Sequence, residues 1–133
     1  MRRISMFLVV TLLGMMGILP AAPVAAEEIA IVRIVQDTVP HHPHNFRFRG
    51  ELGRFRLDDD ANGTLPRLRV FEITNPTQQS PIRVRQVPNE AHWPLIALNC
   101  SDHETVTDFA AHTAWIHVQP GERIRCVWVN HRV

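Results

Sequence analysis

The chain contains no lysine and no tyrosine in its 133 residues. Without lysine, every fixed positive side-chain charge is a guanidinium, and no side-chain amine is available for a covalent crosslink. Serine is nearly as scarce. Ser5, Ser80 and Ser101 are the only ones, and none sits in a Gly-x-Ser-x-Gly elbow or a phosphate-binding loop. The two cysteines, Cys100 and Cys126, lack the Cys-x-x-Cys spacing of a redox motif. No carboxylate pair is framed by apolar sequence in the manner of a general acid and base. These absences remove the usual supports for catalysis, and the expectation is a protein that is not an enzyme.

Long apolar runs are also missing, except at the start. Arg2 and Arg3 precede an apolar stretch from Met6 to Leu19, and Val24-Ala25-Ala26 supplies small residues for cleavage. This order is that of a secretory signal peptide over residues 1–26. Gly14, Gly17 and Pro20 interrupt the stretch, which argues against an uncleaved membrane anchor. A secreted or periplasmic mature part, residues 27–133, is therefore expected, with no transmembrane anchor after cleavage. Losing Arg2 and Arg3 leaves 12 arginines against 13 acids, a net charge of −1 with histidine neutral. The protein is not basic overall. Its charges are segregated, with arginines in apolar stretches and acids in runs such as Asp58-Asp59-Asp60.

What the chain does have is one arrangement repeated five times, arginine alternating with an apolar or aromatic residue. It occurs at Phe46-Arg47-Phe48-Arg49, Arg54-Phe55-Arg56-Leu57, Arg67-Leu68-Arg69-Val70, Ile82-Arg83-Val84-Arg85 and Arg123-Ile124-Arg125-Cys126. A period of two is that of a half-buried strand, whose successive side chains leave opposite faces of a pleated backbone. The pattern predicts an all-β, antiparallel β-sandwich with an apolar interior and arginines outside. Strands are expected over Ile29–Gln36, Asn45–Arg49, Gly53–Leu57, Arg67–Ile73, Ile82–Val87, Leu95–Cys100, Ala114–Val118 and Arg123–Val129. Asn62-Gly63 and Pro120-Gly121 supply turns. A helical turn is expected over Val106–His112. The mature length suits one domain with one core.

In an oxidising compartment the two cysteines are expected to pair, tying the C-terminal edge of the sandwich to its body. A bridge closing a loop of this length stabilises the fold by about 3 kcal/mol in the chain-entropy model. The alternative is two buried free thiols.

Several stretches carry a resemblance. Ile31-Val32-Arg33-Ile34-Val35-Gln36-Asp37-Thr38-Val39-Pro40, Asn45-Phe46-Arg47-Phe48-Arg49-Gly50, Leu52-Gly53-Arg54-Phe55-Arg56-Leu57-Asp58-Asp59-Asp60 and Trp93-Pro94-Leu95-Ile96-Ala97-Leu98-Asn99-Cys100 precede a closing Pro120-Gly121-Glu122-Arg123-Ile124-Arg125-Cys126-Val127-Trp128-Val129-Asn130. In this order they resemble the prealbumin-like repeat domains of bacterial surface proteins, relatives of pilin and collagen-adhesin B-type domains. The resemblance implies a Greek-key, prealbumin-like or immunoglobulin-like sandwich outside the cytoplasm, with a bridge between the cysteines and a stalk or adhesive role. Many such relatives crosslink a lysine of the first strand to an asparagine of the last, assisted by a glutamate. The matching positions here are Gln36, Asn130 and Gln86, so that crosslink cannot form.

Three constellations remain as candidate sites. Guanidinium groups present planar forks suited to phosphate, sulfate and carboxylate. Arg47, Arg49, Arg83 and Arg85, two on each of two strands, are the candidate polyanion-binding residues, since strand register can align them into a stripe. The matching partner is an envelope or extracellular protein or an anionic polysaccharide. Nucleic acid is not expected, because the aromatic residues are assigned to the core. The alternative is an ordinary solvated face that blunts sheet edges. His41, His42 and His44 form a candidate site for a divalent metal, the alternative being a polar linker. Asp58, Asp60 and Asn62 match the opening of a calcium loop, but Arg69 occupies the position of its closing glutamate, so an acidic turn is the competing reading. No resident cofactor is expected.

Overall fold

A computed structural model describes residues 27–59, 66–88 and 92–133. The expected signal peptide 1–26, the candidate calcium ligands Asp60 and Asn62 and the turn expected at Asn62-Gly63 lie outside these residues. Among them are nine strands and one short helix: β1 (Ala30–Val39), β2 (His42–Gly50), β3 (Phe55–Asp59), β4 (Leu68–Ile73), α1 (Pro76–Gln79), β5 (Ile82–Gln86), β6 (Leu95–Cys100), β7 (Val106–Asp108), β8 (Thr113–Ile116) and β9 (Arg123–His131). Two sheets form, one ordered β4-β1-β9-β6 and the other β3-β2-β5-β8-β7. No described helix is long and apolar enough to cross a membrane.

In four of the five stretches the alternation in the sequence becomes the inside and outside of this sandwich; in β4, contrary to expectation, Leu68 and Val70 are exposed together with Arg69. Phe46 and Phe48 of β2, Phe55 and Leu57 of β3, and Ile82 and Val84 of β5 are buried, while Arg47, Arg49, Arg56 and Arg83 between them are exposed. Ile34, Ile124 and Trp128 come from the other sheet to meet them. Phe48 stacks on Phe55 at 5.1 Å and meets Trp128 edge-on at 5.3 Å, joining the two layers through rings.

Departures from the sequence expectations have local causes. The segment expected to turn helically supplies β7 instead, which pairs with β8 through Val106↔Trp115, Thr107↔Ala114 and Asp108↔Thr113. Its three residues are all exposed, so no apolar alternation marked them as a strand. Neighbouring strands are antiparallel with one exception, β1 and β9, which run parallel from Ile31↔Arg123 to Val39↔His131. The last strand is thereby inserted between β1 and β6 rather than left at an edge. Cys100 on the edge strand β6 lies opposite Cys126 on β9, and the two are bridged. The disulfide thus secures edge strand β6 to the interior of its sheet, the reverse of the expected role for the C-terminal strand.

Candidate functional site

Register decides which arginines meet. On the outer face of the five-stranded sheet, Arg47 lies directly opposite Arg56 across β2 and β3, and Arg49 directly opposite Arg85 across β2 and β5. Arg83 lies opposite Trp115 on β8. The end of β2 comes so close to β5 that a Cβ at Gly50 would stand 2.0 Å from the Arg83 carbonyl oxygen, so only glycine brings Arg49 into this register. A depression of about 340 Å³ opens among Arg47, Arg49, Arg54 and Arg56, over Phe48, Phe55 and Val87.

Like charges directly opposite one another cost a sheet stability, on the order of 0.2–1 kcal/mol for each pair. Opposing acids would relieve the cost, yet among the described residues no carboxylate forms an ion pair with Arg47, Arg49, Arg54, Arg56, Arg83 or Arg85. Two acids at the margin are otherwise engaged. The Glu51 carboxylate accepts the Arg83 backbone N–H, and Asp108 accepts that of Ala111. The Nε of Arg85 is itself shielded from water and has no hydrogen-bond partner. Next to it, burial and then the Arg85 charge hold the His112 imidazole below its usual pKa, so His112 does not add to the positive charge at neutral pH.

Of the four arginines singled out by sequence, the structure gathers Arg47, Arg49 and Arg85 and adds Arg54 and Arg56. Arg83 shares the face but sits over the Trp115 ring at 5.9 Å. Trp115 corrects another expectation. It and Phe109 are exposed, because the aromatic positions of the short β7–β8 edge point away from the core. Arg54 and Arg56 belong to the same alternating pattern as the others. Only the pairing of β2 with β3, a tertiary fact, shows that they join the patch.

The histidine loop divides. His42 and His44 lie in β2 and turn toward Trp93, at ring distances of 4.9 and 5.4 Å, and the His42 Nδ1 accepts the His44 backbone N–H. His41 turns the other way, its Nδ1 2.7 Å from the Asp59 carboxylate. His41 lies between β1 and β2, outside either strand, and so does not share the face on which β2 carries His42 and His44. Among the described residues the metal-ligand grouping that does form is Asp37, His41 and Asp59, whose ligand atoms lie within 4.8 Å of one another. Arg67 already stands there, 3.4 Å from Asp59 and 4.0 Å from Asp37, so an entering cation would compete with it.

Asp58 and Asp59 are buried at the end of β3 rather than displayed in a turn. Asp59 accepts hydrogen bonds from the Thr38 backbone N–H at 3.0 Å and the Thr38 hydroxyl at 3.3 Å. Burial alone would raise its pKa. The Thr38 N–H, His41 and Arg67 outweigh burial and hold the carboxyl below its usual range. Asp59 is therefore occupied in fastening β3 to β1, and this accounts for an acid inside the sandwich.

Gln36, Gln86 and Asn130 meet in the core, each fully buried. Gln36 Nε2 donates to the Asp37 carbonyl at 2.9 Å and to Asn130 Oδ1 at 2.8 Å. Gln86 Nε2 donates to Gln36 Oε1 and to Asn130 Oδ1, both at 2.7 Å. Asn130 Nδ2 donates to Gln86 Oε1 at 3.1 Å and to the Trp93 carbonyl at 3.0 Å. All six amide N–H bonds of the three side chains thus have acceptors, and all three side-chain oxygens accept.

No protein-family model matches the chain, and no curated protein or solved structure is significantly similar to it.

Proposed function

We propose that the chain is an exported, non-catalytic interaction module of the cell envelope or extracellular space, and that the arginine face of its five-stranded sheet takes an acidic polymer. The observation that carries this reading is the juxtaposition Arg47↔Arg56 and Arg49↔Arg85, with Arg54 beside them and no described carboxylate paired to any of them. A fold that places like charges opposite one another, in a chain of net charge −1 after signal cleavage, has concentrated its cations on one face. A polyanion lying across the strands replaces the missing acids, and the attraction is strongest at low ionic strength.

The signal-peptide pattern supports export, as does the disulfide. The resemblance to prealbumin-like Greek-key domains gains support from the meeting of Gln36, Gln86 and Asn130, the three positions matched to the crosslinking lysine, glutamate and asparagine of such domains. Here a hydrogen-bonded amide cluster takes the place of the covalent bond. A second reading, metal handling, has the Asp37-His41-Asp59 grouping in its favour and Arg67 against it.

The test is retention of the mature chain on immobilised acidic polymers over a range of salt. Retention should fall as salt rises, and replacing Arg47, Arg49 and Arg85 with threonine should abolish it while the circular-dichroism spectrum is unchanged. Absence of salt-sensitive retention on every polymer would make the face a solvated surface and the module a spacer.

A further inference from the structure

The arginine face does not end in more arginine. Beyond Arg49 and Arg85, the next outward row runs Arg83, Trp115 and Val106 across β5, β8 and β7. Trp115 is 38% exposed and Val106 57%, whereas the other two tryptophans, Trp93 and Trp128, are buried. Same-face positions along a strand are separated by about 6.7 Å and neighbouring strands by about 4.8 Å. Crossing from Arg56 on β3 to Trp115 on β8 therefore covers about 14 Å across the strands and about 13 Å along them, a length that several linked units of a polymer would fill.

The two halves of this surface ask for different chemistry in one occupant. Guanidinium forks want carboxylate, sulfate or phosphate oxygens. An exposed indole flanked by a valine wants a flat apolar surface, which an inorganic polyphosphate lacks. A sugar ring carries both, with acidic substituents at its rim and a face of C–H bonds that lies against an indole. Asp108, opposite Thr113 in the row of Arg49 and Arg85, repels an anionic chain that continues straight across the sheet. The diagonal toward Trp115 carries Arg83 instead, whose guanidinium lies 5.9 Å from the indole centroid and has to swing aside to admit a sugar face.

Resting on the reading of this face as a polyanion site, we propose that its occupant is an acidic polysaccharide, held by Arg47, Arg49, Arg56 and Arg85 through its acidic groups and by Trp115 through a sugar face. Trp115 would then discriminate glycans from other polyanions.

Because Trp115 is the exposed one of three tryptophans, the full mature chain reports on its own site. Oligosaccharides of polygalacturonate and of heparin, bearing carboxylate and sulfate respectively, are titrated against inorganic polyphosphate of matched charge. Tryptophan emission and its quenching by acrylamide are followed. At least one oligosaccharide should shift the emission and protect it from quenching, and polyphosphate should do neither. Measured by titration calorimetry, since both variants lose the reporter, Trp115→Ala should weaken oligosaccharide binding about tenfold and polyphosphate binding less than twofold, while Trp115→Phe retains most of the affinity. Unchanged thermal midpoints would separate a lost platform from a damaged fold. If Trp115→Ala leaves oligosaccharide binding intact, or weakens both classes equally, the glycan assignment fails and the polyanion face stands. If no probe of either class binds with salt sensitivity, the polyanion face fails as well.

Discussion

Replacing Asn130 with alanine tests the amide cluster most directly. Asn130 accepts from both glutamines and donates to Gln86 and to the Trp93 carbonyl, with no access to water. After truncation, Gln36 Nε2 keeps the Asp37 carbonyl and Gln86 Nε2 keeps Gln36 Oε1, so each glutamine loses one of two acceptors. Gln86 Oε1 and the Trp93 carbonyl lose the donor that Asn130 supplied. A buried polar group left unsatisfied costs about 1–3 kcal/mol. With two glutamine amides partly satisfied and two oxygens deprived of a donor, Asn130→Ala should cost about 3–5 kcal/mol, a large share of the roughly 5–15 kcal/mol by which domains are stable. Urea unfolding followed by tryptophan fluorescence measures this as a lower midpoint at unchanged slope. The triple variant Gln36→Met, Gln86→Met, Asn130→Leu removes all three side-chain amides together and should recover part of the loss, because only the Trp93 and Asp37 carbonyls are then deprived of a side-chain donor. An Asn130→Ala cost below about 1 kcal/mol, or a triple variant less stable than the single one by the sum of its parts, would refute the picture of one cooperative network.

Acid stability follows from Asp59 and His112. The lowered pKa of Asp59 means that its contribution is complete above the unfolded value of 3.8 and is lost as pH falls through and below it. His112, also lowered, stays neutral in the fold while the unfolded chain takes up a proton near 6.5, so stability begins to fall as pH drops below that value. Thermal melts between pH 8 and pH 3 should show both losses, with the upper one absent in His112→Asn; a flat profile would contradict both assignments. For the disulfide, the purified domain should weigh two hydrogens less than its reduced form, and Cys100→Ala with Cys126→Ala should cost about 3 kcal/mol in unfolding experiments. Free thiols under native, oxidising conditions would contradict the bridge.

Strands such as β2 were legible because the period stands in their own residues, as in Phe46-Arg47-Phe48-Arg49. Strand β7 was not, because an exposed edge of three residues has no buried face to declare it. The helix α1 was missed for a related reason, since its four residues are too few to show a helical period. The site was half legible. Alternation puts Arg47, Arg49, Arg83 and Arg85 outward, but the opposition of Arg47 to Arg56 and of Arg49 to Arg85 depends on pairings between distant segments. The histidines erred in the opposite direction. Adjacency in sequence suggested one site, while His41, just before β2, reaches Asp59 and His42, in the strand, reaches Trp93.

The parallel pairing of β1 with β9 gives the module a preferred direction of mechanical strength. A tension drawn through the chain before Ala30 and after His131 pulls these neighbours past each other along their length, so the ladder from Ile31↔Arg123 to Val39↔His131 is loaded all at once. Peeling, by contrast, would break its bonds one after another. The hydrogen bond from Gln36 to Asn130 joins the same two strands and shares that load. The bridge from Cys126 keeps β6 attached to β9 while it does so.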